Sequence, residues 1–150
     1  MFLTFGSEGL LSFLFPESLR YLDVHPVLPE DTKDDLRDAF YAQLTPLLLN
    51  LALALLRLGP STLSATEIVK FTLRALSLPK LSTTDRGKAL FRGALAKVIL
   101  NDEEEAEKDL LEAERIVPGD EAVKKELEKV RAKKKEKRDK EKKAYKGLFS

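Results

Sequence analysis

The sequence predicts an all-α protein: helical hairpins, about two of them recognisable, followed by one long charged helix. Three observations lead there. Ala94, Ala106 and Ala113 stand twelve and seven residues apart, and Pro118 follows five later. A hairpin that packs backbone on backbone needs small side chains at its crossing points, and proline ends the second helix because it lacks a donor and clashes with the preceding turn. Leu47–Leu58 (LLLNLALALLRL) is apolar nearly all round, as expected of a buried inner helix packed on both sides. Residues 131–146 hold ten Lys or Arg against three acids, a charged helix preceded by a short docking stripe of Val123, Leu127 and Val130.

Taken in order, residues 1–16 (MFLTFGSEGLLSFLFP) are apolar but hold no Lys or Arg. They lack the basic start and cleavage site of a secretory signal, and Gly6-Ser7-Glu8-Gly9 interrupts the apolar run that a membrane span requires. A buried packing segment or a disordered start are the other readings. The location expected is the cytoplasm. Glu17–Val24 reads as a short helix with Leu19 and Leu22 on one side, and HPVLPEDT (25–32) as a loop. A helix is expected from about Lys33 to Leu58, with Pro46 kinking or splitting it. Twelve apolar residues interrupted by Asn50 and Arg57 are too few for a membrane span. Gly59-Pro60-Ser61 breaks the chain, and Ser64-Ala-Thr-Glu67 has the form of a capping box for a helix running to about Leu78, with Ala75 as its small crossing residue. Thr84 or Asp85 is expected to cap the helix containing Lys88. The next turn falls near Asn101-Asp102, where Glu103, Glu104 and Glu105 oppose the positive end of a helix dipole. A last helix runs from Glu121 to about Lys146.

Composition excludes several functions. With 43% apolar and 34% charged residues the chain suits a charge-rich helical protein, and a net charge of +1 favours no class of partner. There is no cysteine, hence no disulfide framework and no thiolate metal site. His25, the single histidine, lies between Val24 and Pro26 with no partner for catalysis and reads as a solvated loop residue. The carboxylates at Asp34-Asp35 and Glu103–Glu105 adjoin no nucleophile, metal ligand or phosphate loop and read as charged helix starts. No catalytic residue, metal, cofactor or small-molecule substrate is expected.

The alanine and proline spacing is that of one tetratricopeptide repeat, a helix–turn–helix unit of about 34 residues. Residues 47–79 read as a second, poorer repeat and 17–24 as the end of a third, giving a repeat domain over 17–118 and a capping helix over 119–150. Stacked hairpins line a trough with their first helices. Lys88 and Arg92, four apart, project from one face of such a helix, and Asn50, on the preceding first helix, points into the same trough. Two cations and an amide there suit carboxylates and a peptide backbone; the alternative is a solvated helix face. The basic carboxyl-terminal helix, with Tyr145, Leu148 and Phe149, offers a second function, binding calmodulin, an anionic membrane or nucleic acid. Lys133–Lys143 has almost no apolar face, which weakens the calmodulin and membrane versions; neither a membrane nor nucleic acid is the expected partner, and a solvated capping helix is the plainer reading.

Lys88-Ala-Leu-Phe-Arg92, Leu49-Asn50 and the ending Asp139-Lys-Glu-Lys-Lys-Ala-Tyr-Lys-Gly-Leu-Phe149 together resemble the tetratricopeptide half of the cyclophilin-forty type of peptidyl-prolyl cis-trans isomerase, from about Glu17 onward. The resemblance implies a co-chaperone whose repeats clamp the acidic carboxyl-terminal peptide of heat-shock protein 90, ending Glu-Glu-Val-Asp. It implies that Asn50 bonds the peptide's terminal carboxylate or backbone, that Lys88 pairs with a carboxylate of the last residue, and that Arg92 holds the peptide further upstream. The family clamp also uses a lysine and an asparagine from an earlier helix, and residues 1–16 contain neither. Losing two charge-assisted contacts of about 1.5–3 kcal/mol each weakens binding by roughly two decades or more. The cyclophilin barrel has no counterpart here, so the expectation is a truncated form, or a reading frame with a displaced start, without isomerase activity.

Overall fold

The computed structural model describes residues 28–148. The helix expected over Glu17–Val24, the turn at His25, residues 1–16 and Phe149 lie outside the described residues. Within them are five helices and no strand: α1 Asp34–Arg57, α2 Thr62–Ser77, α3 Thr83–Ile99, α4 Glu103–Ile116 and α5 Glu121–Leu148. The fold is all-α, as the sequence predicts.

The chain divides into two compact units, Met1–Phe40 and Tyr41–Ser150. In the first, Arg37 Nη2 donates to the carbonyls of Glu30 and Thr32, both at 3.1 Å, tying the loop to the opening turn of α1. In the second, α1 continues unbroken through Pro46, so the proline does not split the helix. Proline removes one intrahelical donor and crowds the turn before it. There the Thr45 hydroxyl donates to Tyr41 O at 3.0 Å, supplying a hydrogen bond to a carbonyl of the crowded turn.

Helix α1 also departs from the expected burial on both sides. Leu44, Thr45, Leu48, Leu49 and Ala52 form one buried face, whereas Leu47 is exposed and Leu51, Leu53, Leu55 and Leu56 are half-buried. By length and composition α1 would suffice to cross a membrane, but an apolar core helix meets the same criterion.

Two caps fall earlier than the sequence suggests. Ser61, not Ser64, caps α2: Ser61 Oγ accepts from Ser64 N at 3.3 Å, and Ser61 N donates back to Ser64 Oγ at 2.8 Å. A serine hydroxyl thus takes the part usually given to Glu or Gln, and Glu67 instead pairs with Lys70 at 2.7 Å. Ser82 caps α3 by accepting from Asp85 N at 3.1 Å, which leaves Asp85 three positions inside the helix rather than at the cap.

The α3–α4 hairpin matches the reading closely. Helix α3 ends in a left-handed Asn101, with Asp102 N donating to Lys97 O and Asn101 N to Val98 O. This is the Schellman arrangement, which satisfies carbonyls at a helix end. Asp102 then caps α4, and Asp120 caps α5 through the backbone N–H groups of Ala122 and Val123. Leu90 and Ala94 of α3, Ala106, Leu110 and Ala113 of α4, and Val123, Leu127 and Val130 of α5 make one core. The alanines let the backbones approach. Glycines extend the device: a Cβ on Gly93 would lie 3.0 Å from Thr72 Oγ1 of α2, and one on Gly87 3.0 Å from Val117 Cγ2. A glycine inside a helix costs about 1 kcal/mol against alanine, so close approach is what these two positions gain.

Beyond Val130, α5 is not simply solvated. Glu103, only 4% exposed, pairs with Lys133 at 2.8 Å and Lys137 at 3.7 Å. Glu107 pairs with Arg131 at 2.8 Å and Lys134 at 2.7 Å. The hydrogen bonds from Lys133, and from Arg131 and Lys134, hold the two carboxyls below their ordinary 4.5. A depressed carboxyl stabilises the fold above its unfolded value and loses that contribution as pH falls through the folded one. Docking of α5 is therefore expected to weaken below about pH 4.5. A fluorescence reporter on α5 should move in that window in the parent and not in the Glu103→Gln, Glu107→Gln variant.

Candidate functional site

The candidate residues lie on α1 and α3. Arg92 Nη1 donates to the Leu49 carbonyl of α1 at 2.6 Å, across 43 residues of sequence. That bond sets the guanidinium beside the residue preceding Asn50, whose own side chain is exposed. Lys88 stands one turn before Arg92 on α3, with its side chain 49% exposed. The structure thus brings Arg92 against the α1 segment that carries Asn50 and keeps Lys88 on the same helix as Arg92. An arginine has five N–H donors, and the Leu49 carbonyl takes one of them.

Two further residues belong to this cluster and were not singled out by spacing. Asp85 accepts from Lys88 Nζ through Oδ1 at 3.2 Å and from Ser82 Oγ through Oδ2 at 2.9 Å. Burial pushes its carboxyl up, but those two hydrogen bonds, with the charges of Lys88 and Arg92, outweigh burial and hold it below its ordinary value. Arg57, in the last turn of α1, is the second. Burial lowers the Arg92 pKa, and the like charge of Arg57 lowers it further against an opposing pull from Asp85. Arg57 lies seven residues, two turns, beyond Asn50, so both fall on one side of α1. That interval was a usable signal in the sequence; the proximity to Arg92 was not.

Chemically, the cations Lys88 and Arg92 share the carboxylate of Asp85, Arg57 adds like charge near Arg92, and the exposed Asn50 follows the residue whose carbonyl Arg92 holds. Such a surface can accept an anion and bond a peptide. Among the described residues no cluster of His, Cys, Asp or Glu suits a metal ion. The other basic region is partly spent internally: Arg131, Lys133, Lys134 and Lys137 face the acids of α4, and Lys140 pairs with Glu136 at 2.6 Å.

Fold and cluster together define a class: an all-α protein of helical hairpins with a cationic surface on neighbouring helices. Comparison with named proteins adds kinship. The chain is 47% identical over 135 residues to proteins named peptidyl-prolyl cis-trans isomerase D from two strains of Cryptococcus neoformans var. neoformans serotype D, covering 90% of this chain and 36% of each relative. It is 33% identical over 147 residues to the protein of that name from Mycosarcoma maydis, covering 91% of this chain and 37% of the relative. The chain therefore spans little more than a third of the length of these curated relatives, which are its homologues. No protein-family model matches it.

Proposed function

We propose that this chain is a tetratricopeptide-type interaction module, a cytoplasmic co-chaperone element that holds the acidic carboxyl-terminal tail of heat-shock protein 90 or a related chaperone. The observation that carries the reading is the Arg92–Leu49 bond, which sets one cation of α3 against the α1 segment bearing Asn50. Lys88 and Arg92 receive carboxylates and Asn50 receives the peptide terminus or backbone, with Arg57 adding positive potential. The hairpin architecture and homology to the isomerases support it. Proline isomerisation, named in the relatives, is not an activity of these 150 residues.

Calorimetric titration with a pentapeptide ending in Glu-Glu-Val-Asp tests the binding. Saturable one-to-one heat that declines with added salt is expected, since exposed charges are screened. Absence of heat at millimolar peptide would overturn the reading, and accelerated proline isomerisation by the purified chain would overturn its non-enzymatic part.

A further inference from the structure

Lys88 already holds a carboxylate. An ordinary i, i+3 ion pair on a helix surface swings in and out of contact and contributes little. Asp85 differs because both of its oxygens are held, Oδ1 by Lys88 Nζ and Oδ2 by the Ser82 hydroxyl. Ser82 is itself fixed, since the same Oγ accepts the Asp85 backbone N–H as the cap of α3. The carboxylate is thus anchored to the helix start and presented to the cation that an acidic guest would need.

We propose that Asp85 is a built-in rival for that guest and sets how much negative charge a guest must bring. The inference rests on the reading that Lys88 and Arg92 receive an acidic tail. A guest with a single carboxylate gains at Lys88 about what it displaces, one ion pair exchanged for another. A guest whose last residue is itself acidic brings two carboxylates, its main-chain terminus and its side chain, so one can displace Asp85 at Lys88 while the other is received at Asn50. The partner class selected is a peptide with an acidic carboxyl-terminal residue, discriminated from one ending in a neutral residue.

The test titrates two peptides that differ only in a last Asp or Ala against the parent, Asp85→Asn, Lys88→Ala and the double variant. Asp85→Asn keeps the Ser82 cap, and its helical content and melting are read in parallel. It is expected to bind the Asp-ended peptide roughly two- to fivefold tighter. The gain should be larger for the Ala-ended peptide, so that discrimination falls, and it should vanish in the Lys88→Ala background. If the parent binds and Lys88→Ala weakens binding while Asp85→Asn leaves affinity and discrimination unchanged, the rival role is overturned and the binding site stands. If the parent binds neither peptide and Asp85→Asn gains nothing, the site itself is overturned with it.

Discussion

Replacing Lys88 and Arg92 together by alanine is expected to weaken binding of an acidic carboxyl-terminal peptide more than about tenfold. In the proposed site Arg92 supplies a charge-assisted contact of about 1.5–3 kcal/mol and the half-exposed Lys88, already paired with Asp85, adds up to about 1 kcal/mol, every 1.4 kcal/mol being a factor of ten. Arg92 has a second task, since its guanidinium holds the Leu49 carbonyl of α1, and truncation removes that anchor as well. Arg92→Lys separates the two effects: it preserves charge but loses the planar fork. The lysine variant should retain part of the affinity, with a melting temperature close to that of alanine. Unchanged peptide affinity in the double alanine variant, with the fold intact, would remove the site assignment.

The largest effect on stability is expected at Leu110. Its side chain is 0% exposed and lies in the core shared by α3, α4 and α5. Truncation to alanine loses the transfer energy of the removed carbons and leaves a cavity, costing about 2–5 kcal/mol. Domains of this kind hold only about 5–15 kcal/mol in all, so the urea midpoint should fall steeply. Leu111, the next residue, is 42% exposed and serves as the control. Leu111→Ala should shift stability by less than about 0.5 kcal/mol. Equal effects at the two positions would mean that α4 does not present the face assigned to it.

What could be read from the sequence was whatever depends on local periodicity. Ala94, Ala106 and Ala113 are at most 1% exposed, and Val123, Leu127 and Val130 are buried at the docking face of α5. Size and spacing announce such positions because a crossing point admits only small residues and a docked helix needs an apolar stripe. The turn at Asn101-Asp102 was equally visible, since asparagine tolerates the left-handed conformation and aspartate caps. The caps of α2 and α3 were harder. Several Ser and Thr residues crowd 61–66 and 82–84, and all have the right chemistry, so backbone conformation alone chooses among them.

The rest was hidden because it forms through space. A side chain that bonds a backbone carbonyl 43 residues away, as Arg92 does, leaves no pattern in the partner's identity. Nor does spacing reveal that Glu103 is buried under Lys133 while Glu104 beside it is exposed. The lysine run read as solvated because its ligands sit on another helix. Gly87 and Gly93 carry a signal of their own, because glycines inside a helical pattern mark close approach.

The central claim is capture of an acidic peptide's carboxyl terminus by Asn50 together with the cations of α3. Titrating the chain with one acidic pentapeptide, as the free acid and as its carboxyl-terminal amide, tests it most directly. The account predicts that amidation weakens binding at least about tenfold, the worth of one charge-assisted contact. Equal heats and equal affinities for the two forms would contradict it.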